Sequence, residues 1–144
     1  MKINLLYLLA LVSILAVGCT KSQVPKTPSL GSLQGVYSGQ LLAVHTNTPK
    51  NDTLTANVQL TLTSSFGYSV AGDTSTVQAG SHGSFLLNSG AVIQFFDATF
   101  PTSGTPTKIH LSGTYNYTFD GVYLDLTGTD ASGATSYMYA LQKH

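Results

Sequence analysis

The sequence predicts an all-β domain, roughly eight antiparallel strands closed into an up-and-down barrel. Three observations carry this. Apolar and polar residues alternate with a period of two in one segment after another from Leu33 onward. No window in that region spaces its apolar residues by three and four, as an amphipathic helix requires. Short turn signals rich in Gly, Asn, Asp and Ser separate the alternating runs. A β-sandwich is the alternative, and the lack of a long crossover connection favours the barrel.

The elements follow in order. Leu33 to His45 reads as a long first strand, with Gly35 and Gly39 placed for a bend or a close backbone crossing. Residues 46–52 (TNTPKND) form the first loop. Leu54, Ala56, Val58, Leu60 and Leu62 then alternate with Thr55, Asn57, Gln59, Thr61 and Thr63, the pattern of a half-buried strand. Residues 64–67 (SSFG) turn the chain into a third strand near Tyr68, and Gly72-Asp73 marks a bulge or a second turn. The segment 80–83 (GSHG) leads into a strand through Phe85 to Leu87, and 88–90 (NSG) turns into Val92 to Asp97.

Residues 101–107 (PTSGTPT) make a longer loop, followed by a strand from Ile109 to Phe119. Asp120-Gly121 is the strongest hairpin signal, a pair suited to a two-residue type I′ turn. That turn predicts Phe119 opposite Val122, Tyr117 opposite Leu124 and Tyr115 opposite Leu126. Thr129 to Gly133 makes the last turn and Ser136 to Gln142 the closing strand.

Ahead of the barrel, Met1-Lys2 and the apolar run Ile3 to Val17 form a secretory signal, shorter than the roughly 20 residues of a membrane-spanning helix. Residues 15–19 (LAVGC) end that run on the only cysteine. They resemble the lipobox of bacterial lipoproteins, with Ala16 where that motif usually has leucine. The resemblance implies cleavage before Cys19 and acylation of its side chain. Two or more acyl chains, at about 0.8 kcal/mol per buried CH₂, make a stable anchor. The expected organisation is a signal peptide (1–18), a lipidated Cys19 with a Pro- and Gly-containing tether (19–32), and a barrel domain (33–144). Its expected place is the bacterial cell envelope, lipid-anchored at the outer membrane and facing the periplasm.

The charged fraction is 8%, made of six Lys and six Asp with neither Arg nor Glu. Such a chain offers little to a phosphate backbone, so nucleic acid is excluded as a partner class. Without Arg it also lacks the usual bidentate clamp for phosphate and carboxylate.

Residues 35–41 (GVYSGQL) resemble the opening strand of small lipocalin-like (calycin-type) bacterial lipoproteins. The segments 58–62 (VQLTL) with Gly67-Tyr68, 82–85 (HGSF) before 90–93 (GAVI), and 139–143 (YALQK) are similar as well. The resemblance implies the barrel and its envelope setting. In one branch, the copper-resistance lipoproteins, a paired-cysteine motif follows the first strand. Here that region reads VHTN (44–47), so no copper role carries over. Other barrels of this size inhibit lysozymes or proteases, and no inhibitor motif maps onto this chain.

Candidate chemistry is sparse. His45, His82, His110 and His144 lack ligand spacing, and no cysteine remains in the domain to complete a metal site. No metal and no cofactor are expected. Asp120 suits its turn, Asp125 the polar face of its hairpin, and Asp97 a solvated strand end. No G-x-S-x-G elbow marks a nucleophile, and no enzyme is expected.

The aromatic residues say more. Tyr115, Tyr117 and Phe119 share a face, as do Tyr137 and Tyr139. Tyr37, Tyr115, Tyr117, Leu124, Tyr137 and Tyr139 are therefore the candidate lining of an apolar cup for a small hydrophobic or amphipathic ligand. The same residues equally suit a filled barrel core. Two functions follow as expectations: a non-enzymatic binder of such a ligand, or an inhibitor or accessory subunit that uses its loops on an envelope protein partner.

Overall fold

The computed structural model describes residues 29–46 and 52–144. The expected export signal, Cys19 and most of the expected tether lie outside these residues, as does the centre of the first loop. The described chain is an antiparallel barrel of eight strands, each hydrogen-bonded to its neighbour in sequence, with the last closing on the first. The sandwich alternative is thereby set aside. The strands are β1 (Gly35–His45), β2 (Asp52–Leu62), β3 (Gly67–Gly72), β4 (His82–Asn88), β5 (Val92–Asp97), β6 (Gly113–Phe119), β7 (Tyr123–Thr129) and β8 (Thr135–Lys143).

Alternation in the sequence becomes inside and outside. On β2, Ala56, Val58, Leu60 and Leu62 are buried while Thr55, Asn57, Gln59 and their neighbours face out or lie at the surface. Tyr37 and Leu41 on β1, Phe85 on β4, Ile93 and Phe95 on β5, Leu124 and Leu126 on β7, and Tyr139 and Leu141 on β8 complete the interior. Each such side chain contributes about 1.5–3 kcal/mol by leaving water. Close crossing at Gly39 is as the sequence implies: a Cβ there would lie 2.0 Å from the Ala140 carbonyl oxygen on β8.

Four local expectations are corrected. The first strand begins at Gly35, because Leu30–Leu33 forms a single helical turn, named α1, that tucks Leu33 fully into the core. Helix was not expected there, and the turn is short enough to leave no periodic signature. The sixth strand begins at Gly113 rather than Ile109. Ile109 instead makes an isolated parallel bridge to Gln78, with its amide donating to the Val77 carbonyl at 2.8 Å.

The Asp120-Gly121 hairpin is slipped by two residues from its expected register, with Phe119 opposite Leu124 and Tyr117 opposite Leu126. A type I′ turn needs positive φ at both central residues, and only Gly121 has it, at +109°. Asp120 instead accepts the amides of Val122 (2.8 Å) and Tyr123 (2.7 Å), which widens the loop to four residues. A slip of two leaves every side chain on its intended face, so the core is unchanged. The fourth correction concerns Asp97 and belongs to the site below.

The two ends of the barrel differ. At one end lie α1, the short turns after β2, β4 and β6, and the C-terminus. The other carries the connections 73–81, 98–112 and 130–134.

Candidate functional site

The tyrosines come first, because the sequence points to them. Tyr37, Tyr115, Tyr117 and Tyr139 are buried, as is Leu124, and they pack on one another and on Phe95 and Phe119. Ring centroids stand 5.9 Å apart for both Phe95–Tyr115 and Tyr115–Tyr139, edge to face. Burial pushes the Tyr37 hydroxyl up to about 12, and those of Tyr115 and Tyr139 further. The Tyr37 hydroxyl donates to the Leu33 carbonyl and that of Tyr68 to Leu111, at 2.6 Å. Those of Tyr117 and Tyr139 have no hydrogen-bond partner among the described residues. Together these rings fill the barrel.

Tyr137 is placed differently. It is half-buried and lines a cleft of about 740 Å³ at the open end. The barrel supplies His45, Leu54, Thr135 and Tyr137 to this cleft, and the connections 73–81 and 98–112 supply Val77, Phe100, Lys108, Ile109 and His110. Of the six residues expected to line a cup, Tyr137 alone faces this cleft.

Both connections are pinned. Ala79 donates to the Ile109 carbonyl at 2.8 Å, and the buried Ser81 hydroxyl accepts the Leu111 amide at 3.1 Å. Gln78 is fully buried, its amide nitrogen donating to the Ala79 carbonyl at 2.8 Å. Lys108 reaches across to the Thr74 carbonyl. All but the Gln78–Ala79 bond join residues about thirty positions apart in connections where periodicity carries no signal.

At the edge of the cleft stands a pair the sequence did not reveal. Asp97 Oδ2 accepts from His110 Nδ1 at 2.6 Å. Oδ1 of the same carboxylate accepts the Thr99 amide (2.8 Å) and hydroxyl (2.6 Å). The Asp97 side chain is wholly buried and that of His110 is 11% exposed. The solvated strand end is thus corrected to a buried, fully engaged carboxylate. Burial is the strongest single influence on Asp97 and by itself pushes its pKa up. Hydrogen bonds from Thr99 and His110 together outweigh burial and hold the group below the usual carboxylate value.

The imidazole is also gripped by Phe100, edge to face at 5.2 Å. Its bond to Asp97 makes Nδ1 the donor and leaves Nε2 for another partner. Asp97-Ala98-Thr99 has the form of an Asx turn, which is the one local signal that could have marked Asp97 as engaged. His45, by contrast, bonds Thr135 Oγ1 at 3.0 Å across the β1–β8 seam. Among the described residues no group of three His, Cys, Asp or Glu could hold a metal ion.

Known protein families, curated proteins and solved structures contain no match to this chain.

Proposed function

We propose that this protein is a lipocalin-like, lipid-anchored binding protein of the bacterial cell envelope, non-enzymatic, that takes a small amphipathic ligand at the mouth of its barrel. The supporting observation is the contrast between a filled interior and a walled cleft of about 740 Å³, within the ordinary range for small-molecule sites. Its lining is mixed, with Leu54, Val77, Phe100 and Ile109 beside His45, Lys108 and His110.

The anchor at Cys19 is part of this reading. The described chain enters at the closed end, where α1 packs. A lipid on Cys19 holds that end toward the membrane and turns the mouth away from it, open to the aqueous side.

Native mass spectrometry of the full chain, released from its own envelope, tests this. A lipid-sized or smaller adduct that is lost in Leu54→Trp, which narrows the cleft, is the expected result. A bare mass, or an adduct indifferent to Leu54→Trp, overturns the mouth reading.

One observation favours a second reading, an inhibitor or accessory subunit. Phe96 (46% exposed) on the outer face of β5 lies beside Phe100 (45%) at the base of the 101–107 loop, and Leu86 (49%) stands on the outer face of β4, diagonal to Phe96. Exposed apolar groups clustered this way fit a protein contact. Capture of one envelope protein by the wild type, lost in Leu86→Lys/Phe96→Lys, is its signature.

A further inference from the structure

We propose that Nε2 of His110 is an acid-holding point, binding the anionic head of an amphipathic ligand whose apolar part lies along Leu54, Val77, Ile109 and Tyr137. This rests on the mouth-binding reading above and names the chemical class of the ligand.

The ring is held on two sides. Asp97 takes Nδ1 at 2.6 Å, its carboxylate fixed in turn by two hydrogen bonds from Thr99, and Phe100 packs on the imidazole. These contacts hold the ring in one pose. A ring so oriented loses little freedom on binding, which favours affinity. Among the described residues, its hydrogen bond to protein runs through Nδ1, and no Ser or Thr hydroxyl bonds Nε2. The pair therefore has the carboxylate and imidazole of a nucleophilic triad without an engaged nucleophile, so binding suits it better than acyl transfer.

Charge selects the head group. The ionisable groups around His110 are Asp97 at the end of β5, Lys108 on its own connection, His45 on β1, Tyr137 on β8 and Asp130 after β7. Asp130 is turned to its own loop, where Oδ1 accepts the amides of Ser132 and Ala134 and the Ser132 hydroxyl. Asp97 accepts from Nδ1, and in an imidazolium the second ring nitrogen, Nε2, is also a donor, left for a ligand. His45 and Lys108 add donors and no negative charge. The mouth thus presents N–H donors to a ligand, with apolar walls beside them. A charge-assisted bond to a carboxylate is shorter and stronger than one to a neutral hydroxyl.

The chain has no tryptophan, so Thr105→Trp on the exposed loop bordering the cleft gives a single fluorescent reporter. The full chain carrying it, in phosphatidylcholine nanodiscs, is titrated with 4-phenylbutyrate and with its uncharged twin 4-phenylbutanol. The acid is expected to bind roughly tenfold more tightly than the alcohol at about pH 5.5.

His110→Gln should abolish the preference and His45→Gln should keep it. Asp97→Asn leaves the imidazole but removes the carboxylate behind it, and should shrink the preference. That variant carries the test if His110→Gln does not fold. Equal binding of acid and alcohol, or a preference that survives both His110→Gln and Asp97→Asn, overturns the acid-holding assignment while leaving the mouth as a binding site. If neither probe changes the reporter, the mouth reading falls and this inference with it.

Discussion

The two ends of this barrel are built from the same kind of strand and finished in different ways. At the closed end, Leu33 of α1 fills the opening and Lys143 clamps it, donating to the Ser32 carbonyl at 2.7 Å. The same ammonium stands 5.8 Å from the Tyr37 ring centroid and 5.6 Å from that of Phe119. Connections here are short and the rings pack edge to face, with 6.1 Å between the centroids of Tyr37 and Phe119. At the open end the connections are longer; 98–112 sets Leu111 fully in the core with Ile109 against it, and polar bonds hold its outer course. His110–Asp97, Ser81–Leu111 and His45–Thr135 supply those bonds. Both ends thus bury a leucine, and the open end adds hydrogen bonds that stand its long connections around a cleft.

The largest effects should come from the packed interior that both ends share. Tyr139→Ala removes a fully buried ring and is expected to cost about 3–5 kcal/mol, read as a lower midpoint in chemical denaturation. Tyr139→Phe separates packing from polarity. It deletes a hydroxyl with no partner among the described residues, and stability should hold or rise. A large loss in Tyr139→Phe would show that this hydroxyl is engaged, and the picture of a filled interior would need revision.

Next comes the open end. Asp97→Asn replaces a buried carboxylate that accepts three hydrogen bonds, two of them from Thr99, and should cost about 1.5–3 kcal/mol at neutral pH. Because the folded protein holds Asp97 below its ordinary value, its contribution is complete above the unfolded carboxylate value, about 3.9. It fades as pH falls through the lower, folded value. Wild type and Asp97→Asn should therefore differ at neutral pH and converge in acid. A difference that does not change down to the lowest measurable pH would mean that the charge on Asp97 is irrelevant to holding the mouth.

At the closed end Lys143→Met keeps the aliphatic stem and removes the ammonium. The expected loss is about 1 kcal/mol, from one hydrogen bond and two ring contacts. It should leave the cleft untouched, so probe binding at the mouth is the control.

The strands were legible because burial on a barrel wall imposes a period of two, which the strand segments between Tyr37 and Leu141 follow. Val92–Asp97 falls where the turn residues on either side place it. The parts that were not legible share a cause. Leu33 seals the closed end from a helical turn too short for periodicity to register. Asp97 and His110 meet from a strand end and a connection thirteen residues apart, and nothing in their spacing distinguishes them from solvated groups. Both required knowing how the connection 98–112 folds back. Tyr37, Tyr115, Tyr117, Leu124 and Tyr139 were legible as inward-facing, but alternation gives the side of the wall and not the space left within it.

The Asp120 turn is the smallest of these effects and tests how a register is chosen. Asp120 accepts two amides from beyond the turn, and those hydrogen bonds from Tyr123 and Val122 hold its carboxyl below the ordinary value. Asp120→Ala removes the Oδ1 that accepts both amides while leaving Gly121 free to take its positive φ. If the side chain sets the four-residue loop, amide exchange at Val122 and Tyr123 should speed up in Asp120→Ala. The same acceleration should appear in wild type as pH falls through the folded carboxylate value, once the intrinsic pH dependence of exchange is corrected. Pairing between Tyr117 and Leu126 should survive, because the inward faces of β6 and β7 allow a slip of two but not of one. A shift of Tyr117 to pair with Leu124 in Asp120→Ala would show more. The core would then tolerate either register, and one exposed aspartate would decide between them.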